Sequence, residues 1–356
     1  MDPLKAAIGG IEPLDQDAVQ RAKRRTEDLL MPYLALGRLH EISWRVAGIV
    51  GRIPEGLPRK VVMVAAGDHG VASEGVSLFP QEVTRQMVSG FIRGLAAINV
   101  ISRHVGARVV VVDFGVKGPT EPSWLEASDS FYDMKVAPGT GNIATGPAMS
   151  RQQASEAILR GTEVFRREAS KGLDIIATGD MGIANTTPSA AVISALTGSD
   201  PEEIVGRGTG LDDEGLRRKA QVVRRALEVN RPDPRDPLDV LAKVGGFEIG
   251  GLCGWILAGA KARVPVVIDG FISTAAALLA VALEPRARDY LFAGHLSAER
   301  GHSKALEHLR LEPLLQLEMR LGEGTGATLA FVIIEAAVKI LSQMATFSSA
   351  GVSRGL

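Results

Sequence analysis

Five short runs of β-branched and apolar residues recur along the chain, and each stops at a glycine or an acid before a helix-like segment begins. RKVVMVAAGDHG ends at Gly67 and Asp68, ARVVVVDFGV at Asp113 and Gly115, and LDIIATGDMG at Gly179 and Asp180. RVPVVIDG ends at Asp269 and Gly270, and DYLFAGHLS at Gly294 through Ser297. None alternates polar with apolar residues, so each suits a strand buried on both faces, and strands interleaved with helices make a parallel sheet. In an open parallel sheet the ligand lies beyond the carboxyl ends of the strands. The polar and glycine residues gather at those ends here. Glycine and aspartate also make ordinary turns, but five loops of one character favour a shared site.

Residues 14–50 read as two helices, LDQDAVQRAKRRTEDLL and LGRLHEISWRVAGIV, before Pro54 and Pro58 break the pattern. Near the other end, GATLAFVIIEAAVKILSQMATF is a long amphipathic-to-apolar helix that could return onto the first two. The expected organisation is therefore a small helical domain from residues 1–55 with 328–356, and a large α/β catalytic domain over 56–327.

Forty basic residues stand against forty-one acidic ones, which speaks against a dedicated nucleic-acid or membrane-surface protein. Cys253, the only cysteine, sits in the apolar GGLCGWILAG and reads as an inert buried thiol. The first twenty residues lack the basic-then-apolar order of a signal peptide. Lys261, Arg263, Asp269 and Glu335 interrupt the most apolar late stretches. A soluble cytoplasmic protein is expected.

The stretch TGDMGIANTTPSAAVISALTG carries the most chemistry. A strand over 173–178 feeds a loop, Thr187 is placed to cap the next helix, and Pro188 suits its first position. Exposed amides there, beside Asn185 and Thr186, make an anion site. GRGTGLDDEGL is a second glycine-rich loop, and DGFISTAAALLAVAL repeats the strand–loop–helix design with Ser273 or Thr274 as cap. Together these loops suit a phosphorylated ligand. There is no GxxxxGK[ST], no strand-to-helix GxGxxG with a ribose-binding acid, and no GxSxG elbow.

Three further features leave alternatives open. His295, Glu299 and His302 would line up as metal ligands on a continuous helix, but Gly294 and Gly301 interrupt it, and neither metal nor cofactor is expected. Asp68–His69 is an acid/base pair or a hydrogen-bonded loop organiser. In RLGEGTGATLA, Glu323 stands between Gly322 and Gly324 just before helix 326–343. It either caps that helix or is an acid that the flanking glycines leave bare of side-chain walls.

AAGDHGVASEGVSLFPQEVTRQMVSGF, TGDMGIANTTPSAA, GRGTG, IDGFIS, HLSAERGH and MRLGEGTGA occur together and in this order. As a set they closely resemble the nicotinate-nucleotide:dimethylbenzimidazole phosphoribosyltransferase family, from about residue 30 to the C-terminal helix. The resemblance implies a Rossmann-like α/β enzyme, a pentosyltransferase, that forms homodimers. It would move phosphoribose from nicotinate mononucleotide to 5,6-dimethylbenzimidazole with inversion at the anomeric carbon, Glu323 being the general base. The phosphoribosyl group would meet Gly182, Asn185, Thr186, Gly208, Thr209, Gly270 and Ser297. The base pocket would draw on Ser77, Phe79, Gln86, Met181, Leu321 and Gly322. Asp180 departs from the family's frequent glutamate, which puts its catalytic part in question, and Ala184 replaces a glycine. A non-catalytic sensor of either ligand, or a related nucleotide hydrolase, remains the alternative.

Overall fold

The computed structural model describes residues 3–127, 129–208 and 210–353. Within them seven parallel strands form one sheet in the order β3-β2-β1-β4-β5-β6-β7. The strands are β1 (Lys60–Gly67), β2 (Ala107–Gly115), β3 (Phe131–Asp133), β4 (Ile175–Met181), β5 (Val266–Ile268), β6 (Leu291–His295) and β7 (Pro313–Leu315). The open α/β sheet flanked by helices is the architecture the five apolar runs imply. The short edge strands β3 and β7 carry no such run and are found only by their pairing.

Ten helices are needed below. They are α1 (Gln16–Asp28), α2 (Arg38–Val50), α3 (Glu82–Ile92), α4 (Ala97–Val105) and α5 (Arg151–Ser170), then α6 (Thr186–Thr197), α7 (Asp213–Asn230), α8 (Phe247–Lys261), α9 (Phe271–Leu283) and α10 (Thr325–Gln343). β1 is buried along its whole length, and α8 lies over β1, β2 and β4. α5 and α8 press backbone to backbone. A Cβ on Gly161 would sit 2.1 Å from the Gly251 carbonyl oxygen, and one on Gly254 would sit 1.9 Å from that of Ile158. Glycine on the facing sides of these two helices thus replaces side-chain bulk with close packing. Cys253 is fully buried in α8, and burial pushes its thiol pKa up, away from reactivity.

α10 has the length and hydropathy of a membrane span, yet more than half of it is buried inside the protein. It rests on β4, β5 and β6 and also on α2. Arg25 of α1 ties its end through the carbonyls of Leu341 and Ser342.

Three local expectations are corrected. β4 runs on to Met181 instead of stopping at 178, with Asp180 paired opposite Ala65 of β1, because Gly179 lets the strand pass under a neighbouring backbone. α6 starts at Thr186 with Asn185 before it, so Thr187 lies inside the first turn and caps nothing. α9 starts at Phe271 after Gly270. Ser273 is therefore in its first turn, and Thr274 instead donates back to the Gly270 carbonyl at 2.8 Å.

Candidate active site

Chain order reverses between β1 and β4, the place where an open parallel sheet leaves a crevice at its carboxyl edge. A cavity of about 460 Å³ opens there, within the range of small-molecule sites. It brings together Gly182, Asn185, Thr186, Gly208, Gly270 and Ser297. Ser77, Phe79, Met181, Leu321 and Gly322 line it too, as do Asp180 and Glu323. Thr209 lies outside the described residues. Gln86 does not line the cavity: on α3 it is exposed, and Val83 and Met87 line the wall instead.

Glu323 is held by its backbone. Gly322, Glu323 and Gly324 have φ of +83°, +62° and +89°, a left-handed stretch that costs a non-glycine residue about 1–2 kcal/mol. Two contacts leave no other path. The Glu323 amide donates to the Asp180 carbonyl at 3.3 Å, and a Cβ on Gly179 would lie 2.4 Å from the Glu323 carbonyl oxygen.

The carboxylate is 5 % exposed, and its Oε2 accepts the Ile98 N–H at 3.2 Å. The helix end it meets is thus that of α4, not of the helix that follows it. The acid at the start of α10 is Asp269, which accepts from the amides of Gly324 (3.2 Å) and Ala327 (2.9 Å). Burial raises the pKa of Glu323 above the usual glutamate range. The Ile98 amide opposes that rise, and Asp269 adds to it.

Asp180 is buried beside it. Oδ2 accepts from the Asn185 amide at 2.9 Å, while Oδ1 has no partner. Burial, then the negative charge of Asp269, raises its pKa to about 8, and Glu248 and Glu323 push the same way. Burial and the neighbouring acids thus favour the protonated form of Asp180. Under the floor, His69 Nε2 stands 2.9 Å from Glu248 Oε1, both side chains buried. Burial favours the neutral ring, but Glu248 and then Asp68 outweigh it and raise the His69 pKa. A Cβ on Gly182 would come within 3.3 Å of His69 Nε2.

The three side chains weighed as metal ligands part company. His302 Nδ1 accepts the Ser297 amide at 2.8 Å and Nε2 lies 2.8 Å from Thr274 Oγ1. Burial lowers its pKa to about 3, so it is a neutral structural ring. His295 and Glu299 line the cavity. Among the described residues no three His, Cys, Asp or Glu side chains are grouped as around a metal ion.

Sequence reasoning missed Lys219. Wholly buried on α7, its Nζ donates to Thr186 Oγ1 at 2.6 Å and to the Gly206 carbonyl at 3.4 Å. In LRRKAQVVRRAL nothing separates it from solvated neighbours. Glu248 had a faint signal, a lone acid opening an apolar helix. The cavity is therefore polarised. One end offers the α6 N-terminus, the Gly206–Gly208 loop and a buried ammonium, a setting for a phosphate. The other is apolar and backed by acids.

The family model described as Phosphoribosyltransferase matches residues 11–352. The nicotinate-nucleotide–dimethylbenzimidazole phosphoribosyltransferase of Desulforudis audaxviator is 58 % identical over 354 residues, covering 99 % of both chains. The protein of the same name from Desulforamulus reducens is 53 % identical, covering all of both. A crystal structure of CobT from Thermus thermophilus superposes with a TM-score of 0.90 at 51 % identity, covering 95 % of this chain and 100 % of that one. By a match of this length and relatives of this identity, the chain belongs to the nicotinate-nucleotide–dimethylbenzimidazole phosphoribosyltransferase family.

Proposed function

We propose that the chain transfers phosphoribose from nicotinate mononucleotide to 5,6-dimethylbenzimidazole, giving α-ribazole 5′-phosphate and nicotinate with inversion at C1′. The observation that carries this reading is a buried carboxylate of raised pKa on the wall of a polarised cavity. The 5′-phosphate takes the end formed by Gly182, Asn185, Thr186, Gly208 and Ser297, with Lys219 as counter-charge behind Thr186. Gly270 lines the same cavity, and Thr209, outside the described residues, is assigned to the phosphate by the family resemblance alone. The flat acceptor lies between Ser77, Phe79, Met181, Leu321 and Gly322 with its ring N–H toward Glu323. Gln86 joins that pocket only if α3 turns.

One ring nitrogen of the acceptor attacks C1′ as Glu323 takes the proton from the other. The C1′–N bond to nicotinate breaks, and its electron pair stays on the pyridine nitrogen. A cationic pyridinium thereby leaves as a neutral ring, so no anion has to be stabilised at the leaving group. Positive charge instead builds on the ribose, facing Glu323 with Asp269 and Glu248 behind, and such preorganised charge favours the transition state. Asp180, one methylene shorter than the family's frequent glutamate, keeps its proton and offers it as a hydrogen bond to substrate. A homodimer goes with the reading on the strength of the family resemblance, and small-molecule partners only and a cytoplasmic location on the balanced charge and the N-terminal sequence.

Incubation with nicotinate mononucleotide and 5,6-dimethylbenzimidazole tests it. Nicotinate should appear in equal amount with α-ribazole 5′-phosphate, and only when the acceptor is present. Release without acceptor would mean a hydrolase, and binding of both without release a sensor.

A further inference from the structure

Lys219 is a wholly buried cation without an ion-pair partner among the described residues, and burial lowers its pKa to about 8. The charges on the elements around it are committed elsewhere. α6 carries none. In helix Pro201–Ile204, Glu203 pairs with Lys304 at 2.5 Å and Glu202 with Arg224 at 3.4 Å. Asp239 of helix Pro237–Val244 pairs with Lys243 at 2.9 Å, and Arg207 of the loop pairs with Asp213. On α7 itself, Arg225 pairs with Glu74 and Arg218 donates to the Gly75 carbonyl. From the segment before His302, Arg300 carries charge at the surface and His302 is neutral.

Glu299 is the exception. It is 7 % exposed, lines the cavity, and its Oε2 is buried without a hydrogen-bond partner. It is also the one group whose charge draws Lys219 back toward protonation. Gly206 separates the two. Its carbonyl accepts from Lys219 at 3.4 Å, and a Cβ on it would fall 1.9 Å from Glu299 Oε2. Only a glycine there lets an acid and a base press the same loop from both sides. A buried carboxylate oxygen left without a partner is costly, and no hydrogen bond among the described residues reaches Glu299 Oε2.

We propose that Glu299 is a positioning residue, the counter-charge that holds Lys219 as an ammonium ion behind the Gly206–Gly208 loop and so sets the affinity of the cavity for a phosphorylated donor. The part concerning donor affinity rests on the function proposed above; the part concerning Lys219 does not. Without Glu299, the lysine would shed its proton at a pH where the enzyme works, and the phosphate would meet a neutral amine.

Full-length protein carrying labelled lysine gives the direct test. The Lys219 side-chain resonance, identified by its loss in Lys219→Arg, should titrate near pH 8. In Glu299→Gln its midpoint should fall by about one pH unit or more, a tenfold weaker hold on the proton. Calorimetric affinity for nicotinate mononucleotide should then drop about fivefold at pH 8 and recover at pH 6. Affinity for nicotinate riboside, which lacks the phosphate, should stay level, and Lys219→Arg should lose the alkaline decline. An unmoved Lys219 midpoint in folded Glu299→Gln overturns the proposal, as does a loss of mononucleotide affinity uniform across pH. Wild-type protein that binds neither nucleotide nor riboside would sink the proposed function, with the midpoint still deciding the role of Glu299.

Discussion

Replacing Glu323 by glutamine removes one thing, the capacity to take a proton. The side chains are isosteric, and the amide oxygen can still accept the Ile98 N–H now held at 3.2 Å. The start of α4 therefore stays capped, and unfolding free energy should change by no more than about 1 kcal/mol. The catalytic cost is that of a positioned general base, about 10²–10⁴-fold, or about 2.7–5.5 kcal/mol of barrier. The effect should fall on kcat, because the phosphate end of the cavity is untouched.

The pH profile sharpens the test. Burial raises the pKa of Glu323, and the active form of a base is the deprotonated one. Wild-type kcat/KM should thus fall as pH drops through a value above the ordinary glutamate pKa of about 4.3. That acid limb should vanish in Glu323→Gln, leaving a low rate that no longer falls toward acid pH. The assay is initial-rate nicotinate release at saturating acceptor between pH 5 and 9. A variant within about threefold of wild type, or one that keeps the acid limb, would remove Glu323 from the base role.

Asp180→Asn should be mild at neutral pH, because the native acid holds its proton up to about 8. Turnover within about tenfold of wild type is expected, the scale of one neutral hydrogen bond, and a drop beyond about a hundredfold at pH 7 would show that the ionised form works. Gly179→Ala places a methyl 2.4 Å from the Glu323 carbonyl oxygen and should cost about 1–3 kcal/mol in urea unfolding, with kcat falling alongside. A stable, fully active Gly179→Ala protein would mean that the strand does not fix the acid.

What the sequence disclosed followed from burial. The long strands were legible because β1 and β4 are covered on both faces and carry unbroken apolar runs, whereas β3 and β7 are three-residue edges held by neighbours. Glycine-rich strand ends located the cavity, since a backbone that must approach a ligand shows itself in composition. Helix starts were misplaced by two to four residues, Asn185 and Gly270 preceding the helices where Thr187 and Ser273 or Thr274 were expected, because Thr274 bonds back to Gly270 and the Thr187 and Ser273 hydroxyls are buried inside the first turn without a hydrogen-bond partner among the described residues. Lys219 was beyond reach, Glu248 gave only a faint signal, and Asp269 showed as a strand end but not as the acid that accepts from the start of α10. Each acts through partners distant along the chain, and a buried lysine on an amphipathic helix is spelled like an exposed one.

The consecutive left-handed residues 322–324 confer a directional rigidity on this enzyme. A glutamate on an ordinary helix or strand can swing among rotamers and lean toward ligands of different width. Here the torsions of the main chain, wedged against Gly179 and fastened through Asp269, fix where the side chain leaves the backbone, and the Ile98 amide holds the carboxylate at its end. Enlarging or shrinking the heterocycle must then be accommodated from across the cleft, by Phe79, Val83 and Met87. Relatives that prefer a different ring should diverge along that opposing wall while keeping the turn that carries the acid.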